Sequence, residues 1–251
     1  MDTQERYKYI LGIADNSLVL GQRLGELCGH GPNLETDIAL TNISLDLFGQ
    51  VRSYYQYAAR LAGEGKTEDD VAMLRTEREY LNTLLVEQPN THFGHVIARQ
   101  YLFDVYHLFL MEALQSSSDE TLAAIARKSV KEVRYHKRFS GDWIKRLGDG
   151  TAESNKKLQE AVDHMWAYTD ELFELTEADK RAVSAGVGVD TAQFKEAYYA
   201  EVSDLFKTAT LNVPERKYFK RGGKVGIHTE HMGFLLAELQ YMQRTYPNMS
   251  W

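Results

Sequence analysis

Four stretches of the 251-residue chain set Asp, Glu, His and Gln into rows that are otherwise apolar, the pattern in this sequence most able to do chemistry. One row runs Leu11, Asp15, Leu18, Gln22 and Gly25, and a second Ala39, Asn42, Asp46, Gly49, Gln50 and Ser53. A third runs Ile97, Gln100, Asp104, His107 and Met111, and a fourth Ile125, Ser129, Glu132, His136, Phe139 and Trp143. Steps of three and four residues put each row on one face of an α-helix. A carboxylate or imidazole turned into an apolar interior is costly unless it is paired, hydrogen-bonded or bound to metal. Two arrangements would satisfy these groups. One is a di-iron or di-manganese centre, built from one Glu on each of two helices and a Glu-x-x-His pair on each of the other two. The other is a closed polar network that holds four helices in register.

The metal template fails at named positions. The second row offers Asp46-x-x-Gly49, with no imidazole where one is required. The fourth offers Glu132-x-x-Tyr135, with His136 displaced by one residue. Asp104-x-x-His107 has the spacing, but on the helix expected to give a lone carboxylate. The first helix supplies Asp15, Gln22 and Glu26, and an amide is a poor anchor for a hard cation. The network reading is therefore preferred, with Asp15, Gln22, Asp46, Gln50, Asp104, His107, Glu132 and His136 as its members. Tyr135 and Trp143 read as core aromatics with a polar tip near the edge.

The elements that must carry these rows are helices. Pro32, Pro89, Pro214 and Pro247 all fall between periodic stretches rather than inside them. The spacing predicts core helices over 4–28, 33–62, 92–115 and 119–147, the last with Asp119 as N-cap, and a weaker amphipathic stretch over 67–87. Further helices are expected over 152–175, 176–186 with 190–211, and 228–246, while 213–227 reads as non-helical. Period-two alternation is hard to find, so the fold class is all-α. Short links predict one domain over 1–251, a four-helix core near 4–147 with a C-terminal helical extension near 150–251.

Lys and Arg total 29 against 36 Asp and Glu, a formal charge of −7, which argues against a nucleic-acid binder. No apolar run is long enough to span a membrane, and no secretory signal is expected. The lone Cys28 excludes an internal disulfide framework and a multi-cysteine metal site. The expected compartment is the cytoplasm.

Several phrases carry a resemblance. They are Asp15-Asn16 with Leu20-Gly21-Gln22-Arg23-Leu24-Gly25-Glu26, Asp46-Leu47-Phe48-Gly49-Gln50, Leu85-Val86-Glu87-Gln88-Pro89-Asn90, Ala98-Arg99-Gln100-Tyr101 and Lys131-Glu132-Val133-Arg134-Tyr135-His136. Near the end come Ala209-Thr210-Leu211-Asn212-Val213-Pro214, then Gly222-Gly223-Lys224-x-Gly226-x-His228-Thr229-Glu230-His231. Across nearly the whole chain the sequence resembles the ferritin-like PaaA/PaaC family, components of bacterial phenylacetyl-CoA 1,2-epoxidase, and within it the non-catalytic branch. The resemblance implies a ferritin-like antiparallel four-helix bundle with additional C-terminal helices. It implies a structural subunit with a decayed metal site and no cofactor of its own. The partner it implies is a ferritin-like catalytic subunit whose di-iron centre activates O₂ and epoxidises the ring of a CoA thioester. Other members would supply an assembly bridge and a flavin/iron–sulfur reductase.

Two alternatives stand beside that reading. The chain could itself be a di-iron monooxygenase subunit, using Asp15 or Glu26 with Asp46, Asp104, His107, Glu132 and His136. It could also be a ferroxidase-like storage bundle, disfavoured because such sites need the ligands missing here. His228 and His231 lack the His-Glu-x-x-His spacing of zinc proteases and are expected to cap the last helix and bond the glycine-rich turn. Arg216, Lys217, Lys220, Arg221 and Lys224 form the densest basic cluster. They read either as contacts to coenzyme A phosphates or, preferred, as a solvated or salt-bridging rim. Tyr54, Tyr55, Tyr57, Tyr101 and Tyr106 are divided between core and partner interface without the sequence saying which.

Overall fold

The computed structural model describes residues 1–215, 218–247 and 249. Among them every regular element is helical. The helices are α1 (Thr3–Gly25), α2 (Leu34–Ala62), α3 (Glu68–Met73), α4 (Phe93–Leu114) and α5 (Glu120–Gly148). They continue with α6 (Ala152–Trp166), α7 (Glu177–Ser184), α8 (Lys195–Thr208), α9 (Glu230–Leu239) and α10 (Tyr241–Thr245).

The long helices start where a side chain can take up free backbone N–H groups. Asp2 and Glu5 form a capping box at α1, Asn33 accepts from the Thr36 N–H at α2, and Asp119 accepts from Thr121 and Leu122 at α5. At α4 the cap is the His92 imidazole, which accepts from the Gly94 N–H at 3.1 Å.

Pairings between side chains and backbone fix the helix directions. Tyr57 reaches Arg6, and Ser44 reaches the Gly21 carbonyl, so α1 and α2 are antiparallel. Asp46 meets His136 and Tyr57 meets Asp119, so α2 and α5 are antiparallel. Asp104 meets Ser140 and Glu112 meets Arg134, so α4 and α5 are antiparallel as well. Consequently α2 and α4 run parallel, and the chain must travel the length of the bundle between them. This is the ferritin-like arrangement with one long crossover.

The crossover, residues 63–92, departs from expectation. In place of a helical stretch over 67–87 it holds the six-residue α3, one 3₁₀ turn at Glu77–Glu79, and extended backbone. The backbone N–H groups of Leu81, Thr83 and Leu84 are taken by side chains from distant elements, Asp15, Asn16 and Glu171, and so are not available to helical hydrogen bonds.

Helix α4 is buried around most of its circumference, because α5 covers one side and α6 and α8 cover the others. The stretch expected as a helix over 152–175 stops at Trp166 and continues as a 3₁₀ turn, Asp170–Phe173. That expected over 228–246 begins at Glu230 and is interrupted at Gln240, whose amide is spent on the carbonyls of Ala72 and Arg75. Among the described residues no helix is long and apolar enough to cross a membrane.

Candidate functional site: the polar interior of the bundle

The four rows of polar residues do not converge on one point. Asp15 is wholly buried and spends both carboxylate oxygens elsewhere. Its Oδ1 accepts from Arg75 Nη2 at 2.6 Å and from the Tyr55 hydroxyl at 2.5 Å, while Oδ2 accepts from Arg75 Nη1 at 2.9 Å and from the Leu81 N–H at 2.8 Å. Arg75 comes from the crossover and is itself buried, its guanidinium 4.1 Å from the Tyr80 ring centre. The pair is bidentate and nearly dry, so the attraction is strong and the charges compensate one another. Gln22 does not join any interior network; it is half-buried. Glu26 is held by Arg23 at 3.0 Å.

The other members lie between α2, α4 and α5 as separate pairs. His136, fully buried, donates from Nε2 to Asp46 Oδ2 at 3.0 Å, and Asp46 itself is partly open to solvent. Gln50 donates from Nε2 to Glu132 Oε2 at 3.0 Å. Asp104 accepts from Gln100 Nε2 and from Ser140 Oγ, each at 2.7 Å, and among the described residues it forms no salt bridge. Burial therefore pushes its carboxyl up to about 7, against the opposing pull of His136, Ser140 and Gln100. His107 lies against Phe103, and burial followed by the charge of His136 pulls it down to about 3, which keeps it a neutral imidazole.

Five buried polar atoms in this region have no protein partner: Gln50 Oε1, Gln100 Oε1, His136 Nδ1, and both nitrogens of His107. Buried groups of this kind are normally met by protein or ordered water. They are not a metal's donor set. Among the described residues no group of three or more His, Cys, Asp or Glu side chains is placed to hold a metal ion. Of the two carboxylates the first helix could contribute, Asp15 is consumed by Arg75 and Glu26 is held by Arg23. The residues present do not fit a dinuclear iron centre.

A second cluster binds the crossover to the C-terminal segment. The Glu87 carboxylate is fully buried and accepts from Asn82 Nδ2, from His228 Nδ1 at 2.8 Å and from the Thr229 N–H at 2.7 Å. The other His228 nitrogen faces the Tyr80 carbonyl at 3.0 Å. Both neighbours are acceptors, so both nitrogens donate and the ring is an imidazolium. Burial lowers its proton affinity, but the hydrogen bond and charge of Glu87 and the Tyr80 carbonyl outweigh it, and the pKa is raised. Glu171 plays the parallel part, accepting from Leu84, Gly222 and Lys224 backbone N–H groups. The glycines are needed for contact: a Cβ on Gly223 would lie 2.2 Å from the Asn82 carbonyl oxygen.

This corrects the expected role of the His-Thr-Glu-His phrase. Thr229 stands at the N-cap of α9 without a side-chain cap bond, and His228 reaches the crossover, not the glycine-rich turn. Arginines of two other phrases serve the same crossover. Arg23 donates to the Glu87 carbonyl, and the buried Arg99 donates to the Gln88 carbonyl and to Asn90 Oδ1. Sequence spacing misses Arg75, Glu87, Arg99 and Glu171 as partners because each acts across the fold rather than along one helix.

The basic cluster is largely taken up within the chain. Arg221 pairs with Glu174 at 2.6 Å, Lys224 with Asp179 at 3.1 Å, and Lys220 donates to the Tyr168 hydroxyl at 3.0 Å. Arg216 and Lys217 lie outside the described residues. Tyr54, Tyr55, Tyr57, Tyr101 and Tyr106 are all buried within the chain, whereas Tyr135, expected in the core, is 40% exposed.

Comparison with known proteins follows the same line. The profile of the family described as phenylacetic acid catabolic protein matches residues 1–251. One component of the 1,2-phenylacetyl-CoA epoxidase of Escherichia coli strain K12 is 51% identical over 243 residues, covering 97% of this chain and 98% of that relative.

Proposed function

The chain belongs to the phenylacetic acid catabolic protein family, and on that premise we propose that it is a structural subunit of a phenylacetyl-CoA epoxidase in aerobic phenylacetate breakdown. In this reading it carries no cofactor, works in the cytoplasm, and supports a ferritin-like partner whose di-iron centre performs the oxygen chemistry. Bundle and C-terminal helices act as one unit. The observation that carries the structural role is Asp15. A carboxylate on the first core helix that is locked into a buried bidentate pair with Arg75 is unavailable to a metal.

The outer face of α2 supports the partner reading. Leu34, Ile38 and Leu45 recur at steps of four and seven, and are 70%, 50% and 61% exposed. Exposed apolar residues on one helical face, with Tyr135 on the adjoining α5, suit a surface covered by another protein. The basic residues 220–224 fit the salt-bridging rim better than a coenzyme A site, since Glu174 and Asp179 already meet them.

Co-expression with the di-iron subunit tests this. The wild-type pair is expected to co-purify and epoxidise phenylacetyl-CoA, and Ile38→Asp with Leu45→Asp to separate the two proteins without lowering the melting temperature of this chain. Full epoxidase activity of the di-iron subunit without this chain would refute the supporting role.

A further inference from the structure

Four of the chain's eight histidines, His92, His95, His164 and His231, act on one another where the crossover ends and α4 begins. His92 is the N-cap of α4, and its ring meets that of His95 edge-on, with 4.2 Å between centres. The His95 ring lies 5.6 Å from that of His164 on α6.

Two hydrogen bonds fix where the protons are. His92 Nδ1 accepts from the Gly94 N–H at 3.1 Å, so the single proton of its neutral ring is on Nε2. That nitrogen lies 2.9 Å from His95 Nδ1 and donates to it, which places the His95 proton on Nε2. No other assignment satisfies both contacts. A second proton on His92 would set Nδ1–H against the Gly94 N–H, and a second proton on His95 would set two ring N–H groups against each other. Each imidazolium therefore costs α4 its cap or the bond that steadies the cap.

The surroundings do not compensate such a charge. His95 faces Glu160 from α6, but also His92, His164 and, on its own helix, Arg99. Burial first, then these like charges, pull it down to about 4. His164, with the Tyr168 ring beside it, is lowered by burial and then by Lys220 and His231. In the groove between His92 and α6, Glu153 and Lys157 are bound to each other at 2.7 Å.

We propose that His92 and His95 form an acid-released latch on the first turn of α4. The neutral rings hold the end of the crossover to the helix, and protonation of either one lets that turn open. An imidazole with a depressed folded pKa stabilises the closed turn above the free value of about 6.5, and this is lost as pH falls toward the folded value. The latch is independent of the supporting role.

Hydrogen exchange of the full-length chain, with protection factors corrected for the intrinsic effect of pH, reads the opening. The His95 and Val96 amides bond the His92 carbonyl. From about pH 7.5 to about pH 5 their protection is expected to fall at least about tenfold. The first turn of α5, capped by Asp119, is expected to change less than about twofold. His92→Asn keeps a capping side chain but takes up no proton, so its fall is expected to shrink to about twofold. Ring ¹⁵N spectra of the wild type near pH 7.5 are expected to show Nδ1 bare and Nε2 protonated on both His92 and His95. Protection at α4 that ignores pH, an equal fall in His92→Asn, or a proton on Nδ1 of either ring would each overturn the proposal.

Discussion

The Asp15–Arg75 pair sets the energetics of the interior at the level of single residues. Neither partner can be removed alone without leaving a charge in a dry site. Arg75→Met is expected to cost about 3–5 kcal/mol in urea-monitored unfolding, and Arg75→Met with Asp15→Leu markedly less, because the double variant leaves no orphaned charge. His228 makes a pH-dependent contribution. Its pKa is raised in the folded chain, so its stabilisation is complete below the unfolded value of about 6.5 and is lost as pH rises through the folded value. The stability difference between wild type and His228→Asn is therefore expected to be largest near pH 6 and to shrink as pH rises, read from unfolding curves across the range. Asp104 shifts the same balance by burial. Its carboxyl stays protonated to about pH 7 in the folded chain, so stability falls as pH climbs from about 4 to 7, and Asp104→Asn is expected to flatten that slope.

Among the elements, the crossover departs furthest from a regular helix and is the most heavily tied. Asp15, Asn16, Glu171, Arg23 and Arg99 all reach its backbone, and the glycine-rich turn seats directly on it. Gly223→Ala pushes a methyl group against the Asn82 carbonyl and is expected to cost about 1–3 kcal/mol, with earlier protease cleavage between residues 74 and 92. The core helices are legible in the sequence because their apolar rows and their Pro, Gly and Asp boundaries are local signals. The crossover is not legible, since its conformation answers to partners 168 residues away, as Gln240 is from Ala72. The polar interior is half legible. Periodicity places Asp46, Gln50, Asp104, Glu132 and His136 on the faces between α2, α4 and α5, and these do meet in pairs. It places Asp15 on an inward face too, but helical spacing states a direction and not a partner, so it gives no sign of Arg75. Tyr135 misleads for a related reason: it flanks the row of buried His136 and half-buried Phe139 without sharing it.

Across the whole molecule, the bundle's centre is divided into small hydrogen-bonded pairs, its ends are locked by the crossover, and its outer faces carry apolar residues. Such a body suits the supporting role proposed for it. The most direct measurement is metal analysis of this chain after it has been separated from the iron-replete epoxidase complex. The account predicts iron with the partner and none in stoichiometric amount here. Two irons per copy of this chain, with an oxo-bridged absorption band, would contradict it.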